Sequence, residues 1–201
     1  MDIMHIALAL GSSVTAGINL YLTILSLGAM HRLEWLTLPE SMEVVANPWV
    51  MITAGVLFLV EFFADKIPYV DNVWDTVHTF IRVPAGAYLA ASSFTDMPQE
   101  YLIVAALLGG AVSFTTHGAK ASTRAAVNAS PEPVSNWVLS FGEDALSLGL
   151  LYLVSSYPYV ALVVGLIIVL AAAAVIYLLF RFFKRIFSGS NRPAPAQQPP
   201  A

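Results

Sequence analysis

At 201 residues the chain has room for one or two ordinary domains, yet 58% of it is apolar and only 11% charged. Soluble domains carry about 25% charged residues, so a soluble fold is excluded and a polytopic, all-α membrane protein is expected. With no cysteine, disulfides, thiolate chemistry and cysteine zinc sites are excluded, and a net charge of -4 without a basic run before the C-terminal region offers no footprint for nucleic acid.

Taken in chain order, the apolar stretches predict about six crossings of roughly 20 residues each. The start of the chain has no basic n-region, so the first apolar stretch, 4–29, reads as a retained helix rather than a cleaved signal. A loop at 31–47 follows, in which Leu38-Pro39-Glu40-Ser41 marks a break before a short surface segment. The second crossing is expected at 48–63 and the third at 73–94. The fourth is expected at 101–116, continuing helically to 127, and the fifth at 135–157. Residues 145–180 contain no Asp, Glu, Lys or Arg. Tyr157-Pro158-Tyr159 punctuates this run with a helix breaker and interfacial aromatics, so a sixth crossing follows at 160–180.

Residues 181–201 hold Arg181, Lys184, Arg185 and Arg192 and no acid. Positive residues remain on the cytoplasmic side, so with an even count both termini are expected there. Lys66, Lys120 and Arg124 then fall on the inner side, while Arg32 is the one basic residue outside. The transmembrane domain is expected to occupy 1–187. The Pro- and Gln-rich segment 188–201 reads as a disordered cytoplasmic tail.

Residues 7–15 and 105–113 share a faint pattern of small apolar residues, glycine, two small residues, valine and a hydroxyl residue. Two inverted three-helix repeats would produce such a match, an arrangement common in secondary transporters. Gly11, Gly109 and Gly110 are the expected helix-packing glycines. Ser12, Ser13, Thr15 and Asn19 add a central polar path along the first crossing.

Charges in hydrocarbon are costly unless paired or hydrated. Glu61 and Asp65 share a helix face, followed by Lys66 at the inner boundary. Asp71, Asp75, His78 and Arg82, spaced by four, three and four residues, line one helical face. His117, Lys120 and Arg124 share another face, and Glu143 and Asp144 are adjacent in the fifth crossing. Four helices thus bring ionisable groups toward the cytoplasmic half, where mutual pairing is expected.

The phrases Ala16-Gly17-Ile18-Asn19-Leu20-Tyr21, Asn47-Pro48-Trp49, Val60-Glu61-Phe62-Phe63-Ala64-Asp65-Lys66-Ile67-Pro68, His117-Gly118-Ala119-Lys120 and Ser135-Asn136-Trp137 belong together. Over about 5–160 the chain resembles a DUF4126-like bacterial integral-membrane family of unknown function, which implies a place in the inner membrane. Glu61 and Asp65-Lys66 are also similar to the Glu-x-Gly-Asp-Lys/Arg signature of small cation and amino-acid exporters. Here there is one residue more between the acids, and Ala64 replaces the glycine.

The first functional expectation is a transporter or ion-coupled permease. Glu61, Asp65 and Glu143 would be its proton or metal-cation sites, and Arg82, Lys120 and Arg124 its gate partners or anion contacts. An ion, a metabolite and a phosphate-headed lipid all remain open as substrates. An alternative is a membrane-embedded, metal-dependent enzyme acting on a phosphate-containing headgroup. Its metal ligands would be Asp71, Asp75, His78 and His117, although the chain has no hydrolase spacing and no cofactor motif. A non-transporting membrane scaffold is the third class.

Overall fold

The structure, a computed structural model, describes residues 2–95, 97–129 and 133–189. The middle of the inner loop expected at 128–133 and nearly all of the expected tail lie outside these residues. The described chain is all-helical, with seven α-helices and one short 3-10 segment.

Helix α1 (Ile3–Ile18) opens on Asp2, whose side chain accepts a hydrogen bond from the Met4 amide. The helix does not continue through 4–29. At Asn19 the backbone turns extended, with φ -147° and ψ 96°, and a second helix, α2 (Leu20–Arg32), begins. The Asn19 side chain accepts from the Leu22 amide, as an N-cap does. A polar cap residue has therefore cut what reads from hydropathy as one long helix.

The 3-10 segment Glu40–Ala46 follows Pro39 and bends by 58° into α3 (Pro48–Ala64). Asn47 caps α3 through the Trp49 amide, and Pro48 supplies the preset φ of a first helical turn. Tyr69, at φ 70°, turns the chain into α4 (Val70–Ser92). That helix runs unbroken past Pro84. Then come α5 (Gln99–Val127), α6 (Pro133–Ser156) and α7 (Pro158–Gly189). The break between α6 and α7 falls at Tyr157, where the sequence sets it.

Among the described residues, α5, α6 and α7 are each long and apolar enough to cross a bilayer. The bent pair formed by the 3-10 segment and α3 brings the number to four if it counts as one span. This supports a multi-pass membrane location. By the same measure α1 is apolar but short, at 16 residues.

Helix α1 lies at the centre, contacting α4, α5, α6 and α7. Every residue of its C-terminal half, Gly11 to Ile18, is buried. Small residues permit this. A side chain on Gly17 would overlap Thr116 and the Ser113 carbonyl, and one on Gly109 would stand 2.7 Å from the Gly86 carbonyl. Gly11 faces Val154 of α6, whereas Gly109 faces Ala90 and Gly86 of α4. The two glycines aligned by the repeat pattern therefore make different contacts. Gly110 is not a close-packing position, because an added Cβ would meet Ala87 at an ordinary 3.4 Å.

Candidate functional site: a buried ion network at a helix break

The break at Asn19 leaves the last carbonyls of α1 without helical partners; cations from α4 and α5 use two of them, those of Gly17 and Ile18, and a hydroxyl of α5 bonds the Val14 carbonyl one turn earlier. Thr116 Oγ1 donates to Val14 O at 3.1 Å, Lys120 Nζ to Ile18 O at 3.1 Å and Arg82 Nη1 to Gly17 O at 3.5 Å. Two cations thus sit at the negative end of the α1 dipole.

Both cations lead into a wider network. Arg82 Nη2 donates to Glu61 Oε1 at 2.6 Å and Nη1 to Asp75 Oδ1 at 3.2 Å. Lys120 Nζ donates to the same Glu61 oxygen at 3.2 Å and to Asp65 Oδ2 at 2.9 Å. One helical turn further along α5, Arg124 Nη2 reaches Asp65 Oδ2 at 3.2 Å and Glu143 Oε2 at 2.6 Å, and Nη1 reaches the Asp65 carbonyl at 2.7 Å. Asp71 Oδ2 lies 3.6 Å from Arg124. Longer pairs join Lys120 to Asp75 at 3.9 Å and to Glu143 at 3.5 Å.

These contacts form one lattice of five carboxylates and three cations. The side chain of Glu143 is 16% exposed, and no other side chain in the lattice exceeds 3%. Adding Asp144 and Lys66 leaves the acidic excess unchanged. Glu61 Oε2, Asp65 Oδ1, Asp71 Oδ2 and Asp75 Oδ2 have no hydrogen-bond donor among the described residues, and the Nε of Arg82 and of Arg124 has no acceptor. Burying charge in this way is expensive, and removing one partner from such a pair is costlier still.

The remaining residues singled out by the sequence divide around this lattice. His117 Nδ1 lies 2.9 Å from Arg82 Nη1, which can only donate, so its proton sits on Nε2. From there it reaches Thr79 Oγ1 at 2.7 Å and the Asp75 carbonyl at 3.1 Å. His78 stands beside the lattice, its ring nitrogens bonded to Tyr21 OH and the Trp74 carbonyl and its ring stacked on Trp74. Both imidazoles are therefore committed to protein partners. Among the described residues no group of three or more His, Asp or Glu side chains is placed to hold a metal ion, Asp71, Asp75, His78 and His117 included.

Lys66 takes no ion pair among the described residues. Its ammonium lies 3.0 Å from the centroid of Phe62 and 4.6 Å from that of Phe141, and it donates to Phe62 O and Ser140 Oγ. Burial pushes its pKa below the usual lysine value, against the pull of Asp144 and Asp65. Asp144 accepts instead from Asn19 Nδ2 at 2.9 Å, tying α6 to the helix break.

The hydroxyls of α1 are spent mainly on their own helix. Ser12 and Ser13 donate to Ala9 O, and Thr15 donates to Gly11 O. Ser13 also reaches Gly86 O on α4 at 3.1 Å. Of the four residues read as a polar path, only Asn19 joins the charged site. Sequence reading missed Asn128, which donates to Asp71 Oδ1 at 2.8 Å, and Asn136, which donates to Asn128 at 2.8 Å. Both asparagines sit at helix ends, where a capping role is the obvious reading from sequence alone.

The family described as Domain of unknown function (DUF4126) matches residues 6–178. The chain belongs to that family. The matched span takes in every residue of the ion lattice and the break at Asn19. No curated protein and no solved structure matches the chain.

Proposed function

We propose that this DUF4126 protein is an ion-coupled permease whose buried carboxylates take up and release a proton or a small cation. The observation that carries this reading is the excess of carboxylates over cations in a nearly inaccessible lattice at a broken helix. A lattice serving only to hold helices together is cheapest when its charges balance. This one holds surplus negative charge and, among the described residues, leaves four carboxylate oxygens without donors, and an added proton would ease both. Intramembrane ionisable groups of this kind mark ion paths, and discontinuous helices form the sites of many secondary transporters.

In this reading the 3-10 segment with α3 and each of α4 to α7 make a crossing, whereas α1 and α2 descend to the break at Asn19 and return to the same side, where His5 meets Phe94 and Ser41 donates to the Ser92 carbonyl. The C-terminus lies on the cytoplasmic side of a bacterial inner membrane, and the start of α1, beside the turn between α4 and α5, lies toward the outer side. The basic end of α7, at Arg181, Lys184 and Arg185, supports that orientation. The chain has no native cysteine, so single cysteines at Thr37 and Thr95 can be probed with an impermeant maleimide. Labelling from the outside is expected.

The decisive test is proton flux in proteoliposomes loaded with a pH-sensitive dye and energised by a potassium diffusion potential. Wild-type protein should acidify the lumen faster than protein-free vesicles, with Na⁺ and Mg²⁺ arms to reveal a cation alternative. Glu61→Gln should slow the coupled ion at least tenfold while the protein remains folded. Flux unchanged by Glu61→Gln, or no ion-dependent flux in any arm, overturns the reading.

A further inference from the structure

A cleft of about 270 Å³ opens between α5, α6 and α7. Its walls include Ala119, Leu146, Ile168 and Val175, and Lys120 and Glu143 of the ion lattice line it too. The nearly uniform apolar lining suits a hydrocarbon chain. The charged lattice decides what head that chain would carry.

Lys120 is 5% exposed, and its ammonium is already held by Ile18 O, Glu61 and Asp65. Arg124 is fully buried and bonded to Asp65 and Glu143. An incoming anion would find both cations occupied and would meet surplus carboxylates. Glu143 is the lattice carboxylate with appreciable exposure, and its bonds to Arg124 and Lys120 both use Oε2. A small hydrated metal ion gains nothing from apolar walls. A molecule with a positive head and an aliphatic tail gains from both features.

We infer that the cleft binds a single-chain amphipathic amine, with its ammonium on Glu143 and its chain between α5, α6 and α7. The volume lies at or just below the small end of ligand pockets, which run from about 300 Å³, and so favours one chain over two. A diacyl aminolipid would also bring a phosphate against the acidic lattice. This names a substrate class for the permease reading and rests on it. The test measures binding without flux, so the two ideas fail separately.

Full-length protein in phosphatidylcholine nanodiscs is titrated with radiolabelled decylammonium, with empty nanodiscs as the baseline. Saturable, protein-dependent binding is expected. Unlabelled decylammonium should displace it, whereas tetramethylammonium and decyl phosphate should not. Glu143→Gln should weaken affinity about tenfold, the loss of one charge-assisted hydrogen bond. Ala171→Trp, at an exposed position lining the cleft, should abolish binding without lowering the unfolding midpoint, and it keeps the test valid if Glu143→Gln fails to fold. Stronger binding of decyl phosphate, displacement by phosphatidylethanolamine, or affinity untouched by the folded variants would overturn the proposal. If proton flux survives while decylammonium does not bind, the substrate class is wrong and the permease reading stands.

Discussion

Helices α4 and α5 pack along much of their length, but their two ends are built from different materials. Toward the start of α4, Asp75, His78 and Arg82 meet His117, Lys120 and Arg124 in a region ruled by charge. Beyond Pro84, Gly86 and Ala90 meet Gly109 and Ser113, where the Ser113 hydroxyl donates to the Arg82 carbonyl at 2.9 Å and an added Cβ has no room. Both ends are buried. One depends on pairing long charged groups and the other on the absence of side chains, so the same substitution logic cannot apply to both. The charged end carries the proposed ion site, and the small-residue end holds the two helices in register.

Removing a partner at the charged end should produce the largest effect. Arg82→Met leaves Glu61 and Asp75 in the interior with only Lys120 to answer them. The expected loss is about 3–5 kcal/mol, the cost of a broken buried pair, read as the shift in the unfolding transition in mixed detergent micelles. Adding Glu61→Gln to Arg82→Met should recover part of that loss by withdrawing a stranded charge. A loss below about 1 kcal/mol for the single variant would mean that the lattice is better hydrated than its burial implies.

At the small-residue end, neighbouring glycines supply an internal control. Gly109→Ala presses a methyl toward Ala90, the Gly86 carbonyl and Ser13, and overpacking of this kind costs about 1–3 kcal/mol. Gly110→Ala meets only ordinary contacts and should be neutral, or stabilising by up to about 1 kcal/mol from helix propensity. Equal effects at the two positions would erase the distinction between the ends of the pair.

The helix break joins the two regions, and Asn19→Ala tests it. The variant removes the cap on Leu22 and the hydrogen bond to Asp144, so a loss of about 1 kcal/mol is expected from the cap. Because Asp144 remains half-buried beside the lattice without its amide partner, ion flux should fall more steeply than stability. A variant that is destabilised with flux intact would make Asn19 a structural cap alone.

Legibility in the sequence follows the same division. The interval of four, three and four residues from Asp71 to Arg82 sets a helical face before any coordinates exist, and all four side chains are buried together. The break at Tyr157-Pro158 was equally readable, because proline has no other place there. Asn19 was not: one polar residue inside an apolar run barely moves a hydropathy window, and whether it caps a new helix depends on what replaces the lost backbone bonds. Here Arg82 and Lys120 do so from far along the chain. Asn128 and Asn136 escaped for a similar reason, since their link to Asp71 spans three helices. The partners of His78 and His117 were not legible either, because spacing reports which groups share a face, not which atoms hold the imidazole nitrogens.

The smallest expected effect sharpens the comparison most. Ser13 Oγ donates to Gly86 O but also to Ala9 O of its own helix at 2.7 Å, so Ser13→Ala should cost only about 0.6 kcal/mol, the typical worth of an interhelical hydrogen bond in a membrane. The hydroxyl also stands 2.9 Å from the Cβ that alanine at 109 would add, while the Gly86 carbonyl stands 2.7 Å from it. Removing the hydroxyl leaves the Ala90 methyl and the Gly86 carbonyl in place. The double variant Ser13→Ala with Gly109→Ala should therefore stay close to the sum of the two losses. Substantial rescue in the double variant would assign the tight fit to the Ser13 hydroxyl, whereas additivity assigns it to the face of α4, where the Ala90 methyl and the Gly86 carbonyl stand.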